Sequence, residues 1–212
     1  MLNRSAVVLS KGFSTKLGQD KAVMDLNGKP LLKHVVDLIS DIVDEVIVVT
    51  TSHEHQERYS EFLDSDVKFA VDMDKGKGPL IGALTGFEVA QGKYTLLLAS
   101  DMPLVSLDVV ELFFDLSPGK SAVIPRWPNQ QIEPLQAVYH TKTALEAARI
   151  AVEDEDFSLS AMVENMGGIR FMSTLAIEEF DPELRTFFTV NMPLDLKLAE
   201  GLMARKERKK HR

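Results

Sequence analysis

Residues Ala6 to Lys21 read Ala-Val-Val-Leu-Ser-Lys-Gly-Phe-Ser-Thr-Lys-Leu-Gly-Gln-Asp-Lys. The stretch begins as an apolar run, typical of a buried strand, and continues as a loop with two glycines and three lysines. Glycine lets backbone N–H groups approach an anion closely, and lysine supplies positive charge. The pattern fits a phosphate-binding turn, although an ordinary surface loop after an edge strand has the same composition.

Apolar, β-branched runs alternate with helical stripes through the first half of the chain. Such runs are typical of strands buried on both faces, and their alternation with helices predicts βαβ units around a parallel sheet. We expect an α/β fold of three α/β/α layers with a mostly parallel, Rossmann-like sheet. Ligands of such sheets bind outside the carboxyl ends of the strands. The predicted strands cover residues 4–10, 45–51, 67–71 and 94–100, and the predicted helices cover about 31–43, 53–63 and 80–91.

The chain of 212 residues shows neither an internal repeat nor a linker-like segment. We predict a single domain over residues 1–204. Residues 205–212 read Arg-Lys-Glu-Arg-Lys-Lys-His-Arg, and we expect this basic tail to be disordered.

Composition excludes several classes of function. The net charge of −8 argues against nucleic-acid binding. The absence of cysteine excludes disulfides, thiolate zinc sites and cysteine nucleophiles. No apolar run approaches the length of a membrane span, and the first residues lead directly into a strand without a signal peptide. We therefore expect a cytoplasmic protein that binds neither nucleic acid nor membrane.

Asp101 follows directly after the most apolar predicted strand, in Ser100-Asp101-Met102-Pro103. An aspartate at the carboxyl end of a central parallel strand lies where the ligand crevice is expected. This position suits a carboxylate that holds Mg²⁺ or Mn²⁺ against phosphate oxygens. The alternative is a cap for the helix that begins near Leu107, but Ser106 is better placed for that cap.

Residues 72–82 join the third predicted strand to the third helix and read Asp-Met-Asp-Lys-Gly-Lys-Gly-Pro-Leu-Ile-Gly. Gly76, Gly78 and Pro79 predict a shaped turn with backbone donors, and Pro79 suits the start of a helix. The dinucleotide-binding pattern G-x-G-x-x-G is absent, because Ile81 occupies the place of its third glycine.

With these stretches in this order, the chain resembles the molybdenum cofactor guanylyltransferases, which have the nucleotide-diphospho-sugar transferase type of fold. That family opens with Leu-Ala-Gly-Gly-x-x-x-Arg-Met-Gly-x-Asp-Lys, and residues 9–21 align with this motif without an insertion. The other matching pieces are Gly28-Lys29-Pro30-Leu31, Gly78-Pro79-Leu80-x-Gly82, Ser100-Asp101-Met102-Pro103, Glu133-Pro134-Leu135 and Val190-Asn191-Met192-Pro193-x-Asp195.

The resemblance implies transfer of GMP from Mg²⁺-GTP to the phosphate of molybdopterin, which gives the guanine dinucleotide cofactor and pyrophosphate. It implies GTP and molybdopterin as ligands and contacts with a molybdoenzyme or a chaperone, for which the turn Trp127–Gln131 is a candidate surface. Lys21 and Asp101 would be catalytic, Asp101 would bind the metal, and Asn191 would lie near the pterin phosphate or the metal. The residues implied in nucleotide binding are Leu9, Ser10, Lys11, Gly12, Lys21, Asp72, Gly78 and Asp101.

The residue inventory agrees with this chemistry. The attacking phosphate monoester is mostly ionised at neutral pH because its second pKa is about 6. No general base is therefore required, and catalysis reduces to positioning and charge neutralisation by lysines, backbone N–H groups and metal ions.

Three departures from the family pattern leave alternatives open. Ser10-Lys11 replaces Ala-Gly, Lys16 replaces an arginine, and Thr189 replaces the first asparagine of a late Asn-x-Asn. These changes suggest an altered nucleotide preference or a weakened enzyme. The alternatives are a sibling nucleotidyltransferase, which uses CTP with molybdopterin or GTP with another small phosphate, and a non-catalytic nucleotide-binding relative.

Overall fold

In a computed structural model of the protein, residues 2–10, 13–14, 19–72 and 77–210 are described. They form a seven-stranded sheet in the order β7-β5-β6-β4-β1-β2-β3. Six of these strands run in one direction, and β6 runs antiparallel between β4 and β5. The strands are β1 (Arg4–Leu9), β2 (Glu45–Thr50), β3 (Lys68–Val71), β4 (Tyr94–Ala99), β5 (Ala122–Arg126), β6 (Ala137–His140) and β7 (Ile169–Ser173).

Helices cover both faces of the sheet, and alternate residues of β1 show how the two faces are divided. Ala6 and Val8 pack in one cluster with α1, α2 and α4, whereas Val7 and Leu9 pack in a second cluster with α3, α5 and α6. The three-layer α/β/α prediction is therefore confirmed. The helices are α1 (Leu31–Ile39), α2 (His53–Ser60), α3 (Pro79–Val89), α4 (Leu107–Leu116), α5 (Thr141–Glu153), α6 (Leu159–Glu164), α7 (Thr174–Ile177) and α8 (Pro193–Lys210).

A third, smaller core cluster attaches the C-terminal segment to the start of the domain. A two-stranded ribbon pairs residues 25–26 with 29–30 around the turn Asn27-Gly28, where both residues have positive φ. This is the turn that an Asn-Gly pair favours in a tight hairpin. Leu26 of the ribbon packs with Val190 and with Ala199 of α8. The segment around Asn191 is thereby held against the N-terminal half of the chain.

The last helix extends into the basic segment at the end of the chain. The backbone of α8 is helical to Lys210, and the division of the chain at residue 204 stays a prediction. Lysine, arginine and glutamate have high helix propensity, so nothing in the basic run forces the helix to stop.

Among the described residues, no helix is both long and apolar enough to cross a membrane.

Glu45 anchors the end of the sheet opposite the carboxyl edge. One of its carboxylate oxygens accepts hydrogen bonds from the Ser5 hydroxyl at 2.6 Å and from the Gln91 amide at 2.6 Å, and the other pairs with Lys68 Nζ at 2.6 Å. Burial of Glu45 raises the pKa of its carboxyl group, but the hydrogen bonds from Lys68, Ser5 and Gln91 outweigh it, and the net pKa is lowered.

We therefore expect Glu45 to stabilise the fold in a pH-dependent way. A lowered folded-state pKa gives stability that is present above the unfolded value of about 4.3 and is lost as pH falls through the folded value. Glu45→Gln keeps the acceptor for Ser5 and Gln91 but loses the Lys68 ion pair, so the free energy of unfolding should fall by about 1–3 kcal/mol at pH 7.

Urea denaturation between pH 7 and pH 3 measures this effect. The acid-induced loss of stability should be smaller in Glu45→Gln than in the wild type, while the exposed control Glu111→Gln should follow the wild-type profile. Identical profiles for the wild type and Glu45→Gln would contradict the role assigned to this carboxylate.

Candidate active site

The carboxyl ends of β1, β3 and β4 bring the predicted residues to one edge of the sheet. Ser10 continues β1 and donates its amide to Val49 at 2.9 Å, and Asp72 continues β3 and donates its amide to Thr50 at 2.7 Å. Ser100 continues β4 and donates its amide to Leu9 at 3.0 Å. Asp101 follows at the same edge, as the position of the strand predicted.

A cleft of about 270 Å³, including its open mouth, lies between the ends of β1, β2 and β3 and the start of α3. Its walls combine apolar side chains with the hydroxyls of Ser10, Thr50 and Thr51 and the carboxylate of Asp72. A mostly apolar cleft with a few convergent polar groups is the usual form of a small-molecule site. The lining residues are Leu9, Ser10, Val49, Thr50, Thr51, Asp72, Gly78, Pro79 and Gly82.

Gly78 shapes the rim of this cleft because only glycine fits its position. Its φ is +142°, and a Cβ atom there would collide with the backbone carbonyl of Phe157. The next residues enter α3 through Pro79, and the Leu80 amide donates to the Phe157 carbonyl at 3.3 Å. Pro79 therefore begins a helix, as predicted, whereas Gly76 lies outside the described residues.

Lys21 joins two oxygen ligands that are far apart in the sequence. Its Nζ donates to Asp101 Oδ2 at 2.8 Å and to Asn191 Oδ1 at 2.8 Å. Both members of the ion pair are mostly covered, with side-chain exposures of 20% for Lys21 and 17% for Asp101. The Val190 amide donates to the Asp101 carbonyl at 2.9 Å, which holds Asn191 at this point. We call Lys21, Asp101 and Asn191 the charged junction.

A buried hydrogen-bond network sets the position of Lys21. Asp20 accepts from the Ala22 amide at 2.9 Å and from the Tyr59 hydroxyl at 2.7 Å, and the Ser10 hydroxyl donates to the Tyr59 oxygen at 3.1 Å. Burial raises the pKa of the Tyr59 phenol, so the hydroxyl keeps its proton at every ordinary pH. The network ties the residue before Lys21 to the floor of the cleft.

Sequence reasoning did not identify Tyr59 as part of the site. The one available signal was that α2 is otherwise polar, with Tyr59 as its buried residue. This signal indicates a core contact but does not reveal a partner at Asp20, because that contact depends on how α2 packs against the edge of the sheet.

The remaining predicted site residues divide into two groups. Leu9, Ser10, Asp72 and Gly78 line the cleft, whereas Lys11 and Gly12 lie outside the described residues.

Within the described ranges, no cluster of three or more His, Cys, Asp or Glu side chains could hold a metal ion alone. A cation at Asp101 would therefore need further ligands from the substrate or from water.

Comparison with known proteins identifies the class of this site. The model of the MobA-like NTP transferase domain matches residues 6–167, which include the cleft and Asp101. The chain belongs to the MobA-like NTP transferase family. Its two observed features, an open cleft at the carboxyl ends of the strands and a nearby lysine–carboxylate pair, are consistent with nucleotidyl transfer.

Relatives agree with this assignment over nearly the whole chain. The chain is 34% identical to a probable molybdenum cofactor guanylyltransferase of Methanosarcina mazei, over 91% of this chain and 88% of the relative. It is 32% identical to a probable molybdenum cofactor guanylyltransferase of Natronomonas pharaonis, over 94% and 98% of the two chains.

Two solved structures are similar to this chain over nearly its whole length. The crystal structure of molybdopterin-guanine dinucleotide biosynthesis protein A from Archaeoglobus fulgidus matches with a TM-score of 0.79 and 26% identity, over 95% of this chain and 99% of that chain. The 4-diphosphocytidyl-2C-methyl-D-erythritol synthase of Anaerococcus prevotii matches with a TM-score of 0.70 at 12% identity, which shows a shared fold alone.

The Tyr59 network leads to a stability prediction. Tyr59→Phe removes the donor to a buried Asp20 oxygen, and an unsatisfied buried acceptor costs about 1–3 kcal/mol of unfolding free energy. Tyr94→Phe is the matched control, because the Tyr94 hydroxyl has a longer contact, 3.3 Å from the Gly119 amide. Urea denaturation at pH 7 should show the larger loss for Tyr59→Phe, and equal losses would contradict the network.

Proposed function

We propose that this chain transfers GMP from Mg²⁺-GTP to the terminal phosphate of molybdenum-molybdopterin, with pyrophosphate as the second product. The observation that carries the proposal is the charged junction, one strand away from an open cleft at the same edge of the sheet. The names of the relatives support the identity of both substrates. Action in the cytoplasm and delivery of the product to a molybdoenzyme or a chaperone are parts of this proposal.

The distance between the cleft and the junction suits a nucleoside triphosphate. Neighbouring strands are about 4.8 Å apart, so the end of β1, which lines the cleft, lies one strand spacing from the end of β4, which carries Asp101. A base held in the cleft would place its α-phosphate near the Lys21 ammonium group. The hydroxyls at the end of β2 and the Asp72 carboxylate line this cleft, where they would lie beside the ribose or the base edge.

The donors at the junction fit a magnesium ion. Asp101 supplies a carboxylate oxygen and Asn191 supplies an amide oxygen, and both point at the same cation, the Lys21 ammonium. Mg²⁺ prefers hard oxygen ligands and commonly binds through one or two carboxylates, with substrate phosphates and water completing its shell. When bound, the metal would neutralise charge on the α-phosphate and on the leaving pyrophosphate. Asp101 would hold it, with Asn191 beside it.

The reaction needs no general base from the chain. An ionised oxygen of the molybdopterin phosphate attacks the α-phosphorus of GTP, and the bond from that phosphorus to the bridging oxygen of the β-phosphate breaks. Because the attacking phosphate is already ionised at neutral pH, no proton is transferred. Lys21 would turn its ammonium group from Asp101 to an α-phosphate oxygen and stabilise the charge that develops there. Asn191 would orient the attacking phosphate.

The proposal predicts metal-dependent release of pyrophosphate from GTP in the presence of molybdopterin. Lys21→Met and Asp101→Asn should each lower kcat by about a hundredfold or more, the usual loss when a group that stabilises transition-state charge is removed. The exposed residues Lys142 and Asp115 provide matched controls, Lys142→Met and Asp115→Asn, which should retain wild-type turnover.

The same assay separates the alternatives. A preference for CTP over GTP would identify the cytidylyl sibling and leave the role of the junction intact. Binding of GTP without any pyrophosphate release would support the non-catalytic relative and contradict the proposed reaction. A rate of pyrophosphate release that Asp101→Asn does not change would contradict the role assigned to Asp101.

A further inference from the structure

Trp127 lies at the same edge of the sheet as Asp101, beyond the end of β5. The register places Leu96 of β4 opposite Val138 of β6, and Val138 opposite Val123 of β5. Trp127 comes four residues after Val123, and Ser100 comes four residues after Leu96. Because β4 and β5 run in the same direction, Trp127 and Ser100 lie at the same height along the sheet. With β6 between them, they are two strand spacings apart, about 10 Å.

The indole of Trp127 is held in one orientation. Its Nε1 donates to Glu133 Oε1 at 2.7 Å, and its ring packs against Phe187 with a centroid separation of 5.5 Å and an interplanar angle of 54°. The Trp127 amide also donates to the Gln131 carbonyl at 2.8 Å, which closes the turn that carries the indole. All three side chains of this group, Trp127, Glu133 and Phe187, are only half-buried. A fixed and partly accessible aromatic ring is suited to stacking on a planar ligand.

A short segment connects this aromatic group to the charged junction. Phe187 is four residues before Asn191, so their Cα atoms lie at most about 14 Å apart. The segment is fixed near both ends, because Thr186 is fully buried and Val190 donates its amide to Asp101. A molecule with its phosphate at Asn191 can therefore place a ring against Trp127.

Gln136 fixes the segment that carries Phe187. Its side chain is buried, and its Nε2 donates to the Thr186 hydroxyl, next to Phe187 in the chain. The Gln136 amide donates to the Glu133 carbonyl at 3.5 Å, so the same turn carries Glu133 and contacts the segment before Phe187.

We propose that Trp127 and Glu133 form the subsite for the pterin ring of the second substrate. The pterin is a fused planar heterocycle with ring N–H and amino N–H groups, so it offers a face to the indole and donors to the Glu133 carboxylate. The inference rests on the proposed function, since the phosphate of the same molecule must reach Lys21 and Asn191. It also separates the two ring systems: the nucleotide base occupies the cleft beside Asp72, and the pterin occupies the opposite side of Asp101.

Calorimetry measures the affinity of the protein for a stable probe, 6-hydroxymethylpterin monophosphate. The affinities for orthophosphate and for Mg²⁺-GTP are measured in parallel. Trp127→Ala should weaken binding of the pterin phosphate about tenfold or more, as expected for loss of a stacking side chain. Trp127→Phe should recover most of that affinity, and Glu133→Gln should weaken the pterin phosphate but not orthophosphate. GTP affinity should remain within about twofold in all three variants.

Two controls guard against a general loss of structure. Phe180→Ala removes a partly exposed aromatic side chain elsewhere and should leave pterin affinity unchanged. Trp127 is the single tryptophan of the chain, so its fluorescence reports on this site alone, and the pterin phosphate should change it whereas orthophosphate should not.

Equal affinity of Trp127→Ala and the wild type for the pterin phosphate would overturn the proposal. A wild type that binds Mg²⁺-GTP but not the pterin phosphate would also overturn it, while leaving nucleotidyl transfer intact. Failure of the wild type to bind Mg²⁺-GTP would instead contradict the proposed function, and a Trp127-dependent pterin affinity in that case would still support this subsite.

Discussion

The contact of Lys21 with Asp101 and Asn191 is the constraint on which the site depends. It joins the loop after β1, the end of β4 and the start of the last helix, three parts of the chain that local sequence does not bring together. The pair is mostly covered, so the chain places a positive and a negative charge side by side at the edge where ligands of parallel sheets bind. Under the proposed function, substrate phosphates would take the place of Asp101 beside Lys21, and a metal ion would take the place of Lys21 beside Asp101.

The rest of the fold keeps this contact in place from two directions. On the side of the cleft, Tyr59 links Asp20 to Ser10, so the backbone before Lys21 is tied to the floor of the cleft. On the other side, the Val190 amide donates a hydrogen bond to the Asp101 carbonyl, and the Val190 side chain packs with Leu26 of the ribbon. The backbone on both sides of the charged junction is therefore held by contacts within the protein.

Sequence patterns were sufficient for the layers of the fold and for the edge where the site lies, because buried parallel strands are continuous apolar runs and Asp101 directly follows one. They were insufficient for Tyr59, because its partner Asp20 is 39 residues away and the contact depends on how α2 packs. They were also insufficient for the Trp127–Glu133 contact, because it depends on the local path of the turn between the two residues. The backbone of α8 is helical to Lys210, and the division of the chain at residue 204 stays a prediction. Lys11 and Gly12 lie outside the described residues, so their assignment to the nucleotide rests on the motif alone.

The most direct test of this account is a crystal structure of the protein with Mg²⁺ and a non-hydrolysable GTP analogue. The account predicts that the base lies in the cleft beside Leu9 and Asp72, that the metal is bound by Asp101, and that Lys21 Nζ has left Asp101 for an α-phosphate oxygen. An intact Lys21–Asp101 ion pair with the triphosphate bound elsewhere would contradict it.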